Sequence, residues 1–219
     1  QSIADRLNKR IGILIDLQGP EIRISTPDKM PIEAQKGEEI LFCEKEEPNT
    51  KCIVVPHQIV FDVLEIGDTI LIDDGFLEFN VVSKSSNSLM AKALDNYTVE
   101  NHKGMNLPGK DIDLPSLIHS DLLKLDMATK SKVDFVALSF SRTKQDIEIL
   151  REEMNKRGLD AQVVAKIESK QAIDNIDDLI EASDGIMVAR GDLGIEVPIE
   201  QLAYLQELIV QKCREAKRP

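Results

Sequence analysis

Residues Val163–Ser169 read VVAKIES, an apolar segment that ends in Lys166 and Glu168 and runs into a serine that can begin a helix. Side chains two residues apart on a β-strand lie on the same face, so the pattern predicts a strand that presents a cation and a carboxylate together at its carboxyl end. Proteins built from alternating strands and helices place their chemistry at that end. The competing interpretation is a surface ion pair without function, worth roughly 0 to 1 kcal/mol.

Two further segments repeat this pattern of an apolar strand that ends in charge. The segment ILIDLQGPEIR places Asp16 near a strand end, before a Gly-Pro turn, and Met187–Pro198 reads MVARGDLGIEVP. In the second segment, Gly191 and Gly194 allow positive φ and a close approach of ligand to backbone N–H groups, and Asp192 offers a hard oxygen ligand for a divalent cation. Taken alone, MVARGDLGIEVP fits a strand and an ordinary turn, because short glycine motifs occur by chance. Three charged strand ends together favour a functional site.

Strands alternate with helices outside the middle of the chain, which predicts parallel βαβ units. Helices are expected to begin at Thr143, at Ser169 with an apolar face through Ile180, and at Pro198. The predicted strands are Ile11–Leu17, Val133–Phe140, Gln162–Ile167 and Asp184–Ala189. About four βα units fit outside the middle of the chain, so the sequence predicts an α/β fold with about four parallel strands.

The stretch from residue 26 to residue 106 differs in residue pattern from the rest of the chain, because short runs rich in β-branched residues are separated by Gly, Pro and Asn. Asp74-Gly75 between two such runs is typical of a β-hairpin. We therefore predict a small all-β domain inserted over 26–106, within an α/β domain whose first part is 1–25 and whose second part is 107–219.

Composition excludes several classes of function. The 219 residues are 42% hydrophobic and 30% charged, with a formal net charge of −12, which argues against a nucleic-acid or anionic-membrane surface. Cys43, Cys52 and Cys213 are odd in number and lack metal-ligand spacing, so a reducing, cytoplasmic location is expected. No apolar run approaches the ~20 residues of a membrane span, and the chain is expected to be neither exported nor inserted.

Five ordered blocks of this sequence resemble pyruvate kinase. They are ILIDLQGPEIR, KGMNLPG followed by IDLP (Lys103–Pro115), VDFVALSF (Val133–Phe140), VVAKIES and MVARGDLGIEVP. The resemblance implies that the α/β domain (1–25 and 107–219) is a partial TIM (β/α)8 barrel of about four βα units, whose strands correspond to the third to sixth strands of the family's barrel. It also implies that the inserted domain (26–106) is a small all-β barrel that acts as a mobile lid. The chain begins at Gln1 without Met and stops at Pro219, where the family's next strand would start, so we expect a fragment of a longer enzyme that is inactive alone.

The resemblance implies an enzyme that transfers the phosphoryl group of phosphoenolpyruvate to ADP in glycolysis, giving pyruvate and ATP. Lys166 matches the catalytic lysine, which stabilises charge between the enolate oxygen and the migrating phosphoryl group. Glu168 and Asp192 match the carboxylate ligands of Mg²⁺ or Mn²⁺. The backbone at Gly191 and Asp192 matches substrate-binding main chain, with Lys166 also in contact with substrate.

The resemblance also implies a second cofactor, K⁺, held by Asp16 and the carbonyl of Leu17. Glu21 is the residue type associated with K⁺ dependence in the family. Lys103 matches a lid residue near the nucleotide. The implied partners are phosphoenolpyruvate and ADP or ATP, with no nucleic acid and no membrane, and the parent enzyme is expected to be a homotetramer.

The sequence departs from the family pattern at several places. Leu17 stands where the family often has Thr, and Gln18 where it often has Lys. The family's phosphate-binding Arg, its cation-binding Asn and Ser, its substrate-binding Thr segment and its regulatory C-terminal domain lie outside the matching blocks. Two alternatives stay open, namely another Mg-dependent barrel enzyme of phosphoenolpyruvate or 2-oxo acids, and a non-catalytic binding module.

Overall fold

The computed structural model describes residues 2–46 and 50–219. Within those ranges the chain forms eight α-helices and twelve β-strands. The helices are α1 (Ser2–Arg6), α2 (Gln58–Val63), α3 (His119–Ala128), α4 (Lys144–Lys156), α5 (Lys170–Asp174), α6 (Ile176–Ala182), α7 (Arg190–Glu196) and α8 (Ile199–Glu215). The strands are β1 (Leu14–Leu17), β2 (Ile32–Ala34), β3 (Glu39–Cys43), β4 (Cys52–Val54), β5 (Thr69–Ile72), β6 (Leu77–Lys84), β7 (Ser88–Ala93), β8 (Tyr97–Val99), β9 (Met105–Asn106), β10 (Phe135–Leu138), β11 (Gln162–Ile167) and β12 (Gly185–Val188).

The chain divides into two compact units. The first, called here the barrel unit, comprises the residues up to Pro20 together with Pro115–Leu193 and Ile199–Pro219. The second, called the β-rich unit, comprises Glu21–Leu114 and Gly194–Pro198. The domain ranges 1–25, 26–106 and 107–219 stay predictions.

The barrel unit contains one parallel sheet with the strand order β1-β10-β11-β12. Leu17 pairs with Leu138, and Ile167 pairs with Val188, so the carboxyl ends of the four strands lie at one edge. This sheet confirms the predicted half-barrel of four parallel strands. Three of the strands are one to three residues shorter at one or both ends than predicted.

Two of the predicted helix starts in the barrel unit are correct. The backbone N–H of Thr143 donates to the Asp146 carboxylate at 2.9 Å where α4 begins, and α8 begins directly after Pro198. Both helix starts can be predicted from the sequence, because a capping residue or a proline influences only the backbone of the residues next to it.

The single helix predicted from Ser169 to Ile180 is wrong in one respect. Ser169 does begin a helix, since its Oγ accepts the N–H of Ala172 at 3.2 Å, but α5 ends at Asp174 and α6 begins at Ile176. Asn175 between them has non-helical ψ, and its side-chain amide donates to the carbonyl of Arg142 at 3.0 Å. This contact with a residue distant in sequence accounts for an interruption that the local apolar pattern does not indicate.

The β-rich unit contains a six-stranded sheet, in the order β4-β3-β7-β6-β5-β9, and a separate two-stranded sheet of β2 and β8. The hairpin predicted at Asp74-Gly75 is confirmed, since β5 and β6 pair antiparallel around it and both residues have positive φ. The rings of Phe42 and Phe79 meet edge to face in the core, with centroids 5.1 Å apart. Helix α2 was not predicted, and it buries Phe61 in the same core. Closure of this unit into an all-β barrel stays a prediction.

Among residues 2–46 and 50–219, no helix combines the length and the apolarity that a bilayer crossing requires.

Candidate active site

Three charged side chains meet at the carboxyl edge of the parallel sheet. Asp16 lies near the end of β1, Lys166 lies on β11, and Glu168 follows β11. The ammonium of Lys166 is 2.9 Å from Glu168 Oε1 and 3.3 Å from Asp16 Oδ2. Parallel pairing puts these strand ends side by side, so residues 150 positions apart in sequence become neighbours.

The surroundings of Lys166 favour its charged form. Burial disfavours the ammonium, but the hydrogen bond to Glu168 and the negative charges of Glu168 and Asp16 outweigh it and raise the pKa of Lys166. The side chain is only 12% exposed, so solvent screens these interactions weakly. The site therefore holds a fixed positive charge of the kind that stabilises a developing anion.

Glu168 is almost completely buried, with 2% of its surface exposed. Its Oε2 accepts the backbone N–H of Phe140 at 2.6 Å, while Oε1 faces Lys166. Burial raises the pKa of Glu168, and the negative charge of Asp192 raises it further, although Lys166 and the Phe140 N–H oppose the shift.

Glu168 and Asp192 supply hard carboxylate oxygens, which are the ligands that divalent cations such as Mg²⁺ prefer. Within the described part of the chain, no group of three or more His, Cys, Asp or Glu side chains is arranged to hold a metal ion by itself. Mg²⁺ is commonly bound through one or two carboxylates, with water and substrate phosphate completing its shell. Two carboxylates do not form a closed protein cage, so their chemistry fits a divalent cation whose shell is completed by other groups.

Phe140 holds its N–H towards Glu168 in a strained conformation. Its φ is +53°, in the left-handed region that is rare for residues with bulky side chains. Gly19, with φ of +69°, packs directly against this turn, and a Cβ there would lie 2.8 Å from the carbonyl oxygen of Ser139. Glycine at position 19 is therefore required by the close approach of the two backbones.

The proposed K⁺ ligand Asp16 has its carboxylate in contact with Lys166 and with the hydroxyl of Ser139, and its side chain is 54% exposed. The Asp16 carbonyl accepts a hydrogen bond from Lys124 at 3.2 Å. Leu17 is fully buried, so its side chain serves the core. The K⁺ assignment stays a prediction.

The MVARGDLGIEVP segment is helical at the two glycines. Gly191 and Gly194 could adopt positive φ, but Arg190–Glu196 is helix α7 and neither glycine does so. The first turn of a helix leaves backbone N–H groups without intrahelical partners. The N–H groups of Gly191 and Asp192 are therefore available as donors, as the sequence predicts, but in a helical conformation. A Cβ at Gly191 would meet nothing within 4 Å, so the space beside it is open.

Lys103 lies in the β-rich unit. Its ammonium is 3.0 Å from Asp73 Oδ2 and 3.5 Å from Glu100 Oε2. The hydrogen bond to Asp73 raises the pKa of Lys103, so the side chain stays cationic. It lines a cavity of about 800 Å³ together with Asp73, Tyr97 and Glu100. A nucleotide role for Lys103 stays a prediction.

Sequence reasoning missed three residues that shape this edge of the sheet, namely Asp121, Ser139 and Phe140. Ser139 and Phe140 directly follow the apolar VDFVAL run, so the strand-end rule that selected Lys166 could have selected them. The fully buried carboxylate of Asp121 accepts the N–H groups of Gln18 at 2.8 Å and Gly19 at 3.1 Å. No local signal indicates that contact, because the partners are more than 100 residues apart.

The sequence matches the family described as pyruvate kinase, barrel domain, over residues 1–219. It is 37% identical over 221 residues to a pyruvate kinase of Bacillus licheniformis, covering 99% of this chain and 38% of that protein. It is 36% identical over 235 residues to a pyruvate kinase of Candida albicans, covering 100% of this chain and 46% of that protein.

Solved structures give the same result. A pyruvate kinase from Cryptosporidium parvum has a TM-score of 0.92 at 33% identity, over 100% of this chain and 46% of that one. A pyruvate kinase from Pyrobaculum aerophilum has a TM-score of 0.90 at 30% identity, over 97% of this chain and 47% of that one. The chain spans less than half the length of each of these relatives.

Proposed function

The chain belongs to the pyruvate kinase family, and from that premise we propose that the protein transfers the phosphoryl group of phosphoenolpyruvate to ADP, giving pyruvate and ATP. The observation that carries the proposal is the ammonium of Lys166, held between Glu168 and Asp16 at the carboxyl edge of the parallel sheet. This is where parallel α/β enzymes bind and transform substrates.

The chemistry of the transfer explains the need for a fixed cation. The bond between phosphorus and the enol oxygen breaks, a bond to the terminal phosphate oxygen of ADP forms, and the enolate carbon takes up a proton. Negative charge grows on the enolate oxygen while the phosphoryl group moves. Lys166, whose pKa is raised, supplies a positive charge at that point without reorganisation of solvent.

Glu168 and Asp192 would hold Mg²⁺ or Mn²⁺, and the buried carboxylate of Glu168 at the carboxyl edge of the sheet supports this assignment. When bound, the metal supplies charge neutralisation to the substrate oxygens. The N–H groups of Gly191 and Asp192 in the first turn of α7 would bind anionic substrate oxygens. Glu168 keeps its orientation through the N–H of Phe140.

Asp16 and the carbonyl of Leu17 would hold K⁺, and Lys103 of the β-rich unit would bind the nucleotide. We assign 1–25 and 107–219 to the barrel domain and 26–106 to an inserted all-β barrel lid. The protein is proposed to act in the cytoplasm as a homotetramer, without nucleic-acid or membrane partners. These assignments rest on the family and on the matching residues of this sequence.

The test is a coupled assay of pyruvate formation on the full gene product, with Mg²⁺ and K⁺ present. Lys166→Ala should lower kcat by about 10² to 10³, because losing one preorganised electrostatic stabiliser costs ~2.7 to 4 kcal/mol in the transition state. KM should change little. Lys156→Ala is the matched control, since Lys156 lies at the exposed end of α4 with its ammonium on Glu153.

The same assay includes K⁺ replaced by tetramethylammonium, which should lower the rate if Asp16 holds a monovalent cation. Absence of turnover in the unmodified protein would refute the proposed reaction. An unchanged kcat in Lys166→Ala would show that Lys166 has no catalytic role and only forms structural ion pairs.

A further inference from the structure

Ser139 has no role in the proposed mechanism, yet it occupies the centre of the charged cluster. It follows β10, the strand between β1 and β11, and only 5% of its surface is exposed. Its Oγ is 2.8 Å from Lys166 Nζ and 3.3 Å from Asp16 Oδ1. The hydroxyl therefore bridges the other two groups.

The direction of both hydrogen bonds follows from the chemistry of the groups. An ammonium has three donors and no acceptor, so Lys166 donates to the Ser139 oxygen. The single hydroxyl proton of Ser139 then remains for Asp16, whose ionised carboxylate can only accept. Alanine can supply neither bond, and cysteine supplies weak ones.

The three N–H groups of Lys166 face three acceptors, namely Ser139 Oγ at 2.8 Å, Glu168 Oε1 at 2.9 Å and Asp16 Oδ2 at 3.3 Å. To donate to a substrate oxygen, the ammonium must release one of them. The Asp16 contact is the longest and involves the most exposed of the three side chains, so it exchanges at the lowest cost. Ser139 and Glu168 then hold the ammonium in position while its third N–H group turns to the substrate.

We infer that Ser139 is a positioning residue for phosphoryl transfer, which fixes the Lys166 ammonium against the carboxyl edge of the sheet. The inference rests on the proposed function, since it assumes that Lys166 acts on the substrate. It predicts a defect in the chemical step, because a displaced ammonium still attracts anionic substrate but no longer meets the enolate oxygen.

The experiment measures kcat and KM for phosphoenolpyruvate in the full gene product and in three variants, alongside the thermal midpoint of each. Ser139→Ala should lower kcat by about 10- to 100-fold, because this is the effect expected from losing one hydrogen bond to a charged group. KM should stay within about threefold of the value for the unmodified protein. Ser139→Cys keeps a side chain at this position that forms only weak hydrogen bonds, and it should reproduce the loss. Ser141→Ala is the matched control, because Ser141 is a fully buried serine two residues away whose hydroxyl donates to the Leu138 carbonyl at 2.8 Å.

Each outcome is decisive. A fall in kcat for both Ser139 variants, with Ser141→Ala at the level of the unmodified protein, supports the inference. Equal falls for Ser139→Ala and Ser141→Ala would overturn it, since any buried hydroxyl would then have the same effect. A raised KM with unchanged kcat, or a kcat within twofold in a folded Ser139→Cys, would also overturn it. Absence of turnover in the unmodified protein would instead remove the proposed function, and with it the premise.

Discussion

Asp121→Ala should lower the free energy of unfolding by about 3 to 5 kcal/mol. The Asp121 carboxylate has no solvent exposure and accepts three backbone N–H groups, from Gln18 at 2.8 Å, Gly19 at 3.1 Å and Ile118 at 3.2 Å. A buried donor left without an acceptor costs roughly 1 to 3 kcal/mol. The Gly19 bond is fully buried, and the other two are partly buried, so water can compensate those in part.

The measurement is urea unfolding of the 219-residue chain followed by circular dichroism, with a thermal scan as a second readout. A loss of 3 to 5 kcal/mol should lower the thermal midpoint by roughly 6 to 20 °C for a chain of this size. Asp126→Ala is the control on the same helix, because Asp126 is 54% exposed and pairs with Arg157 at the surface, which is worth about 0 to 1 kcal/mol. If both variants lost less than about 1 kcal/mol, the three hydrogen bonds of Asp121 would not support the fold as argued.

Two further predictions concern pH and metal. Hydrogen bonds from Ser116 and Arg142 outweigh the effect of burial and lower the pKa of Asp146 below its ordinary 3.8. A depressed folded-state pKa stabilises the protein above pH 3.8 and loses that contribution as pH falls through the folded value. Unfolding free energies measured from pH 5 down to pH 2.5 should therefore fall less steeply in Asp146→Asn than in the unmodified chain, and parallel curves would contradict the assignment. Mn²⁺ should raise the thermal midpoint of the chain, with about 2.7 kcal/mol of stabilisation at 100 times its Kd. Glu168→Gln and Asp192→Asn should each abolish most of that rise, and an equal rise in both variants would exclude them as the metal ligands.

Features of this fold that depend on neighbouring residues could be predicted from the sequence. The apolar run VVAKI predicts β11, Asp74-Gly75 predicts the turn between β5 and β6, and Pro198 predicts the start of α8. In each case the signal and its effect lie within a few residues, because side-chain alternation, turn conformation and helix initiation are local properties. The placement of Lys166 and Glu168 at a strand end follows from the same local reasoning.

The arrangement of the site was decided by tertiary structure. Asp16 and Lys166 are 150 residues apart, and only the strand order β1-β10-β11 brings them to 3.3 Å with Ser139 between them. The strained backbone of Phe140 and its hydrogen bond to Glu168 also depend on packing against other strands. The residues around Phe140 in the sequence give no indication of that packing. The sequence by itself determined which groups reach the edge of the sheet. Pairing between strands distant in sequence determined which of them touch, because parallel strands are joined by long crossovers and no single segment specifies its neighbours in the sheet.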